Sequence, residues 1–94
     1  MFSPEIEPPS GQLVVCAGVA VIDLVYRVEE FPAPGSKTRA TEFTPILGGC
    51  AANASVAIRR LGGRARISAA LGGPAGRDLI GDNIVAQLNR ELVD

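Results

Sequence analysis

Two adjacent glycines, Gly48 and Gly49, limit the fold of this chain more than any other residues, because they separate an extended segment from a helix of small residues. Segment 51–61 carries apolar side chains at helical spacing, which predicts a helix there. Asn53 falls in the first turn of this helix, close to the glycines. Backbone without side chains and one amide therefore meet at a strand–helix junction, where a small polyol could form hydrogen bonds.

Strands and helices alternate along the chain, and this order is typical of an α/β fold with a parallel, doubly wound sheet. The pattern predicts strands at 13–22, 24–29, 37–47 and 64–71, and helices at 51–61 and 75–92. The run 13–22 is apolar, as in a strand buried on both faces, and is expected to end at Asp23. Segment 24–47 predicts a protruding hairpin, because polar residues occur on both of its sides. Pro74 is expected in the first turn of the second helix.

Residues 1–12 are acidic and rich in proline, and we expect them to be a disordered lead-in to residues 13–94, which form part of one domain. This start lacks the basic and apolar regions of a signal peptide, and the apolar run is too short to span a bilayer. We therefore expect a cytoplasmic protein without membrane contacts. A further strand is expected after the second helix, so the chain is interpreted as the first part of a longer protein.

Charge and amino-acid content exclude several classes of function. Nine basic and ten acidic residues form no block of one sign, which argues against nucleic-acid binding. The chain has no histidine, so a Ser–His–Asp or Cys–His catalytic set is impossible within it. Cys16 and Cys50 do not make a metal signature or a disulfide framework. Cys50 could be reactive at a helix N-terminus, but no base accompanies it, so we expect no catalytic residue and no metal site.

Each candidate binding residue also has a structural interpretation. Asp23 could accept two hydrogen bonds from neighbouring sugar hydroxyls beyond a strand end, or it could cap local amides in a turn. Gly48 and Gly49 could admit a ligand to the backbone and to free N–H groups at the helix start, or they could form a plain turn. Asn53 could bind a ligand or be solvated. The loop 72–76 could cradle a phosphate, but it lacks the dinucleotide and P-loop spacings, which favours a structural turn.

Together these residues resemble the N-terminal third of the PfkB carbohydrate kinases, also called the ribokinase-like family. The similarity rests on segments in the family's order and spacing: 18–23, the Phe-Pro-Ala-Pro-Gly turn at 31–35, the Gly-Gly-Cys-Ala-Ala-Asn motif at 48–53, and Arg-Leu-Gly at 60–62. The first strand and the short turn 72–76 are most similar to ketohexokinases. Cys50 departs from the family, where Lys or Asn is found, and Val21 stands where ribokinases have Asn. Turn 72–76 lacks the family's paired aspartates.

The resemblance implies a kinase that uses ATP and Mg²⁺ and transfers the γ-phosphate to a sugar hydroxyl. It implies that Asp23, Gly49 and Asn53 hold sugar hydroxyls, that Cys50 lines the pocket, and that hairpin 24–47 is a lid that mediates homodimer contacts. The family's general base and anion hole come from its C-terminal part, which implies no ATP site in this chain and no turnover by it alone. The alternatives are a non-catalytic module that oligomerises through the hairpin and a nucleotide-binding half-domain that uses 72–76.

Overall fold

The computed structural model describes residues 10–94, and these form two small sheets and two helices. The elements follow in the order β1 (Ser10–Gly18), β2 (Val21–Arg27), β3 (Glu42–Gly48), α1 (Cys50–Arg60), β4 (Gly63–Ala69) and α2 (Leu79–Arg90). Strands β1 and β4 pair in parallel, and α1 packs against both of them. This arrangement confirms the predicted α/β class with parallel strands. Of the expected lead-in 1–12, residues 10–12 belong to β1, and the rest lies outside the described residues.

The predicted single strand 13–22 is wrong, because the chain leaves the parallel sheet after Gly18 and enters the second sheet at Val21. The carbonyl of Val19 accepts hydrogen bonds from the first turn of α1 and is therefore not free to continue the ladder with β4. Asp23 consequently lies within β2 and does not close a strand. The expected burial on both faces is also wrong for β1 within residues 10–94, since α1 covers part of the sheet and Val15 is 55% exposed.

Strands β2 and β3 form the predicted hairpin, and their antiparallel pairing extends from Val21 opposite Gly48 to Arg27 opposite Glu42. Segment 37–41, predicted as strand, lies outside β3. The connection contains a tight turn in which the N–H of Ser36 donates to the carbonyl of Ala33 at 3.0 Å. Gly35 has a φ of 76° at the third position of this turn, which follows a proline, as a type II turn requires.

Helix α1 ends as the sequence predicts, because Gly62 supplies a positive φ of 91° just beyond its last turn. Helix α2 begins four residues later than predicted and does not contain Pro74. Its N-cap is Asp78, whose carboxylate accepts a hydrogen bond from the N–H of Gly81 at 3.0 Å. The aspartate N-cap satisfies a backbone donor of the first turn, which Gly73, the residue before Pro74, has no side chain to do. This side chain, rather than the proline, therefore sets the start of α2.

The core of the described region lies between the two sheets and the helices. Its buried members are Ala20, Ala52, Ile84, Leu88 and Val93, with Ile22, Leu47 and Ile67 among those packed against it. After α2 the chain runs beside β4. Asp94 donates from its N–H to the carbonyl of Ala65 at 3.2 Å, and its carbonyl accepts from the N–H of Ile67 at 2.7 Å. These two bonds follow the parallel ladder pattern. Neither helix within residues 10–94 is long and apolar enough to cross a membrane.

Candidate functional site

Gly49 is the junction between the hairpin and α1, and its position admits only glycine. It is the N-cap of α1 with φ 96° and ψ 148°, a region that side chains do not tolerate. A Cβ built on Gly49 would overlap with the carbonyl oxygen of Val19 and would lie 2.9 Å from the carbonyl carbon of Val19. The glycine therefore permits close contact between two backbone segments, the connection after β1 and the start of α1.

The expectation of free N–H donors at the start of α1 is wrong for two of its residues. The N–H groups of Ala51 and Ala52 both donate to the carbonyl of Val19, at 3.2 and 3.4 Å. The N–H of Asn53 donates to the carbonyl of Gly49 at 2.9 Å, which is the first bond of the helix. A ligand at this junction would consequently meet side chains and the glycine Cα atoms, and not the amides of Ala51 and Ala52.

Asp23 and Gly48 lie together on one face of the hairpin. In the β2–β3 register Val21 faces Gly48 and Asp23 faces Ile46, so the carboxylate reaches diagonally across the ladder. A Cβ on Gly48 would overlap with this carboxylate and would lie 2.9 Å from its Cγ atom. Gly48 has no positive φ, so the contact with Asp23 is what restricts its side chain. Asp23 is exposed, which leaves its oxygens open to hydroxyl donors.

Asn53 and Cys50 are exposed residues of the first turn of α1. Asn53 faces a cavity of about 630 Å³ between α1, α2 and β3. The cavity is lined by Ile46, Leu47, Asn53, Val56, Ala57, Arg60, Leu61, Gln87, Arg90 and Glu91. Asp23, Gly48, Gly49 and Cys50 are not part of this lining. The structure therefore brings Asp23 and Gly48 into contact, joins Gly49 to the start of α1, and places Asn53 in the lining of the cavity between α1, α2 and β3.

A second cavity, of about 410 Å³, lies at the carboxyl ends of β1 and β4, the edge at which ligands bind in open parallel sheets. Loop 72–76 borders this edge. The N–H of Gly72 donates to Asp78 at 2.9 Å, and the N–H of Gly76 donates to Asp82 at 3.1 Å. The carboxylates of Asp78 and Asp82 thus accept hydrogen bonds from loop N–H groups that a bound phosphate would need. This supports the interpretation of the loop as a structural turn.

The contacts that α2 makes with its surroundings are not evident from the sequence. Gln87 bonds to the backbone of β3, although its position between the apolar residues Ile84 and Leu88 gave no signal for this. Arg60 at the end of α1 binds Glu91 after α2 through two hydrogen bonds, one of them from Nε to Oε2 at 3.0 Å. The hydrogen bonds from Arg60 hold the pKa of Glu91 below its ordinary value, and partial burial opposes this shift.

Residues 12–94 match the sequence model of the pfkB family carbohydrate kinases. The chain belongs to this family. It is similar to a nucleoside kinase of Methanocaldococcus jannaschii, with 30% identity over 59 residues, which are 63% of this chain and 20% of that protein. The predicted membership of the PfkB, or ribokinase-like, family is thereby confirmed.

Solved structures of a ribokinase-type protein and of a fructokinase share the fold of this chain. A candidate ribokinase from Agrobacterium tumefaciens superposes with a TM-score of 0.78 at 34% identity, over 90% of this chain and 26% of that one. A fructokinase from Xylella fastidiosa with bound ATP superposes with a TM-score of 0.60 at 28% identity, over 87% of this chain and 23% of that one. The chain therefore spans about a quarter of the length of these kinases.

Proposed function

We propose that residues 13–94 are the N-terminal part of one ribokinase-like domain and supply the sugar-binding and lid portion of an ATP-dependent carbohydrate kinase. The observation that carries the proposal is the contact of the Asp23 carboxylate with the bare Cα of Gly48, at the point where the hairpin joins the body. Membership of the pfkB family supports a sugar as the ligand. A cytoplasmic location is part of the proposal, and cell fractionation tests it.

In this proposal the polyol lies between the hairpin and the first turn of α1. Asp23 accepts hydrogen bonds from two neighbouring hydroxyls, as an ionised carboxylate with two oxygens can do. Gly48 and Gly49 let the sugar approach the backbone, because no Cβ intervenes. Asn53, which also lines the cavity between α1, α2 and β3, supplies an amide donor and acceptor from the first turn of α1, and Cys50 lines the pocket. Closure of the hairpin over the sugar excludes water from the reacting hydroxyl, which is the general use of such lids.

ATP and Mg²⁺ enter the proposal only through the family, and the residues described here do not fit them. Among residues 10–94 no group of three His, Cys, Asp or Glu side chains could hold a metal ion. The amides of Gly72 and Gly76 are bonded to Asp78 and Asp82, so these two donors of loop 72–76 are not available to a phosphate. We assign no step of phosphoryl transfer to these residues, and we expect no turnover of ATP by this chain alone.

Calorimetric titration of the natural gene product that carries this chain tests the sugar site. D-fructose, D-ribose and a nucleoside represent the substrates named by the fructokinase, ribokinase and nucleoside kinase relatives. The resemblance to ketohexokinases predicts that fructose binds most tightly. Asp23→Ala is expected to weaken the binding at least about tenfold, since it removes charge-assisted hydrogen bonds. Glu29→Ala, at an exposed carboxylate beyond β2, serves as the matched control. Equal affinities of the two variants would contradict the proposal.

An exposed apolar face of the hairpin favours a second role, homodimer contact. Leu24, Tyr26 and Phe43 are each more than half exposed, and the rings of Tyr26 and Phe43 lie 4.7 Å apart. Strand alternation places these residues on the face opposite to Asp23, so one face can bind sugar while the other binds a second copy. Light scattering of wild type and Tyr26→Ser tests this role. The same measurement tests the alternative that the chain is a non-catalytic oligomerisation module. A monomeric wild-type protein would exclude it.

A further inference from the structure

The outer edge of β3 is bonded to a side chain of α2. Strand β3 pairs with β2 on one side, so the N–H and C=O groups on its other side need separate partners. The N–H of Leu47 donates to Oε1 of Gln87 at 2.9 Å, and the carbonyl of Pro45 accepts from Nε2 of Gln87 at 3.4 Å. Pro45 fits this edge because it has no N–H that would remain unpaired there.

The Gln87 amide thus occupies the place that the backbone of a neighbouring strand would take. One side-chain amide offers one acceptor and two donor hydrogens, and all three functions are used here. The second donor hydrogen bonds to Oδ1 of Asn83, one turn earlier on α2, at 2.9 Å. Ile84 and Leu88, on either side of Gln87 in the sequence, are buried in the core. The amide is therefore held by a helix that is itself fixed to the body of the protein.

We propose that Gln87 is a positioning residue that fixes the orientation of the hairpin relative to the rest of the protein. Leu47 directly precedes Gly48 and Gly49, so the bond to Gln87 fixes the strand end from which both candidate site glycines follow. An isolated two-stranded hairpin is marginally stable in water, and bonds to the body are needed to hold it in one orientation. The consequence for sugar affinity rests on the proposed function, whereas the effect of Gln87 on the hairpin does not.

Residue-resolved hydrogen exchange in the natural gene product tests whether Gln87 holds the hairpin in place. Gln87→Ala is compared with Asn89→Ala, which also removes an amide from α2 but at an exposed position. The readout is the exchange of the Thr44 and Ile46 amides, which alternate with the outward-pointing N–H of Leu47 and therefore face β2 and not Gln87. With two hydrogen bonds lost, we expect about three- to tenfold faster exchange in Gln87→Ala and no change in Asn89→Ala. Gln87→Glu, which keeps the acceptor for Leu47 but loses the donor to Pro45, is expected to lie in between.

Steady-state kinetics with the sugar that binds most tightly tests the functional part. Gln87→Ala is expected to raise KM about three- to tenfold with a smaller change in kcat, since a loosely held hairpin weakens binding before it affects the chemistry. Hairpin exchange that is equal in the two alanine variants would overturn the role of Gln87. Faster hairpin exchange in Gln87→Ala with an unchanged KM would overturn only the proposed effect of Gln87 on sugar binding. Failure of the wild-type protein to bind any sugar would refute the proposed function. The hydrogen-exchange comparison would then still decide whether Gln87 holds the hairpin.

Discussion

The carboxylate of Asp23 lies against the Cα of Gly48, in the space that a side chain at position 48 would need. The two residues are diagonal neighbours across an antiparallel ladder, two positions out of register. Such neighbours are within reach of each other's side chains. Gly48 is therefore not required for a turn. Its lack of a side chain is what allows the Asp23 carboxylate to lie at this position.

Gly48→Ala is expected to lower sugar affinity much more than stability. The new Cβ would displace the Asp23 carboxylate, which is exposed and can rotate into solvent at small cost. In the Asp23→Ala background the same substitution has no carboxylate to displace, and its effect on affinity should disappear. A double-mutant cycle measured by calorimetric titration separates these terms. Additive effects of the two substitutions would show that the contact does not matter for binding.

Gly49→Ala is expected to destabilise the protein by about 2–4 kcal/mol, because a positive φ and an overlap with the Val19 backbone act together. Gly35→Ala is the matched control. Gly35 also has a positive φ, but nothing lies within 4 Å of its Cβ position, so about 1 kcal/mol is expected there. Urea unfolding of both variants gives the comparison. Similar losses for the two would mean that the Val19 contact adds nothing.

Asp78→Ala is expected to destabilise α2 and the loop before it by about 1–2 kcal/mol, since it removes an N-cap and leaves two backbone donors without their acceptor. Asp78→Asn keeps one acceptor oxygen, which can serve Gly81 or Gly72 but not both at their present positions, and should therefore lose about half as much stability. Thermal unfolding monitored by circular dichroism provides the measurement. A larger effect of the asparagine than of the alanine variant would refute the capping role.

Acid is expected to weaken the link between Arg60 and Glu91. Because Arg60 lowers the pKa of Glu91 in the folded state, the pair stabilises the fold at a pH above the unfolded pKa of Glu, about 4.3. This contribution is lost as the pH falls through the lower folded pKa. Arg60 is largely exposed, so solvent screening limits the contribution to about 0.5 kcal/mol.

Glu91→Gln should remove that pH dependence. Its free energy of unfolding is expected to fall less than that of wild type between pH 6 and pH 3, and Glu30→Gln, at an exposed loop carboxylate, should behave like wild type. Urea unfolding at a series of pH values measures the difference. A Glu91→Gln curve parallel to that of wild type would contradict the expectation.

Local signals in the sequence predicted the elements of this fold, because periodicity and turn residues act over a few positions. Helix α1 and the turn at Gly35 follow from apolar spacing and from a Pro-Gly pair. The break after Gly18 could not be predicted in the same way. It depends on the Val19 carbonyl, whose partners Ala51 and Ala52 lie more than 30 residues further along the chain.

The candidate site was predicted in part for a similar reason. The glycine pair and Asp23 could be recognised in the sequence as candidate binding residues. The contact between Asp23 and Gly48 follows from the pairing register of β2 and β3, which the sequence does not reveal. Gln87 was missed because its partners, Leu47 and Pro45, are 40 or more positions away. Its polar side chain was visible, but nothing local distinguished it from an exposed helix residue.

The close approach of Gly49 to Val19 and Ala20 has a mechanical consequence. The backbone enters the hairpin at Ala20 and leaves it at Gly49, and these two segments touch each other. Two strands that leave from a single point can swing about it but can hardly translate. In the proposed role as a lid, the hairpin would therefore turn about one pivot, with the Gln87 bonds limiting the turn, and the angle reached would decide how much room a bound sugar has beneath it.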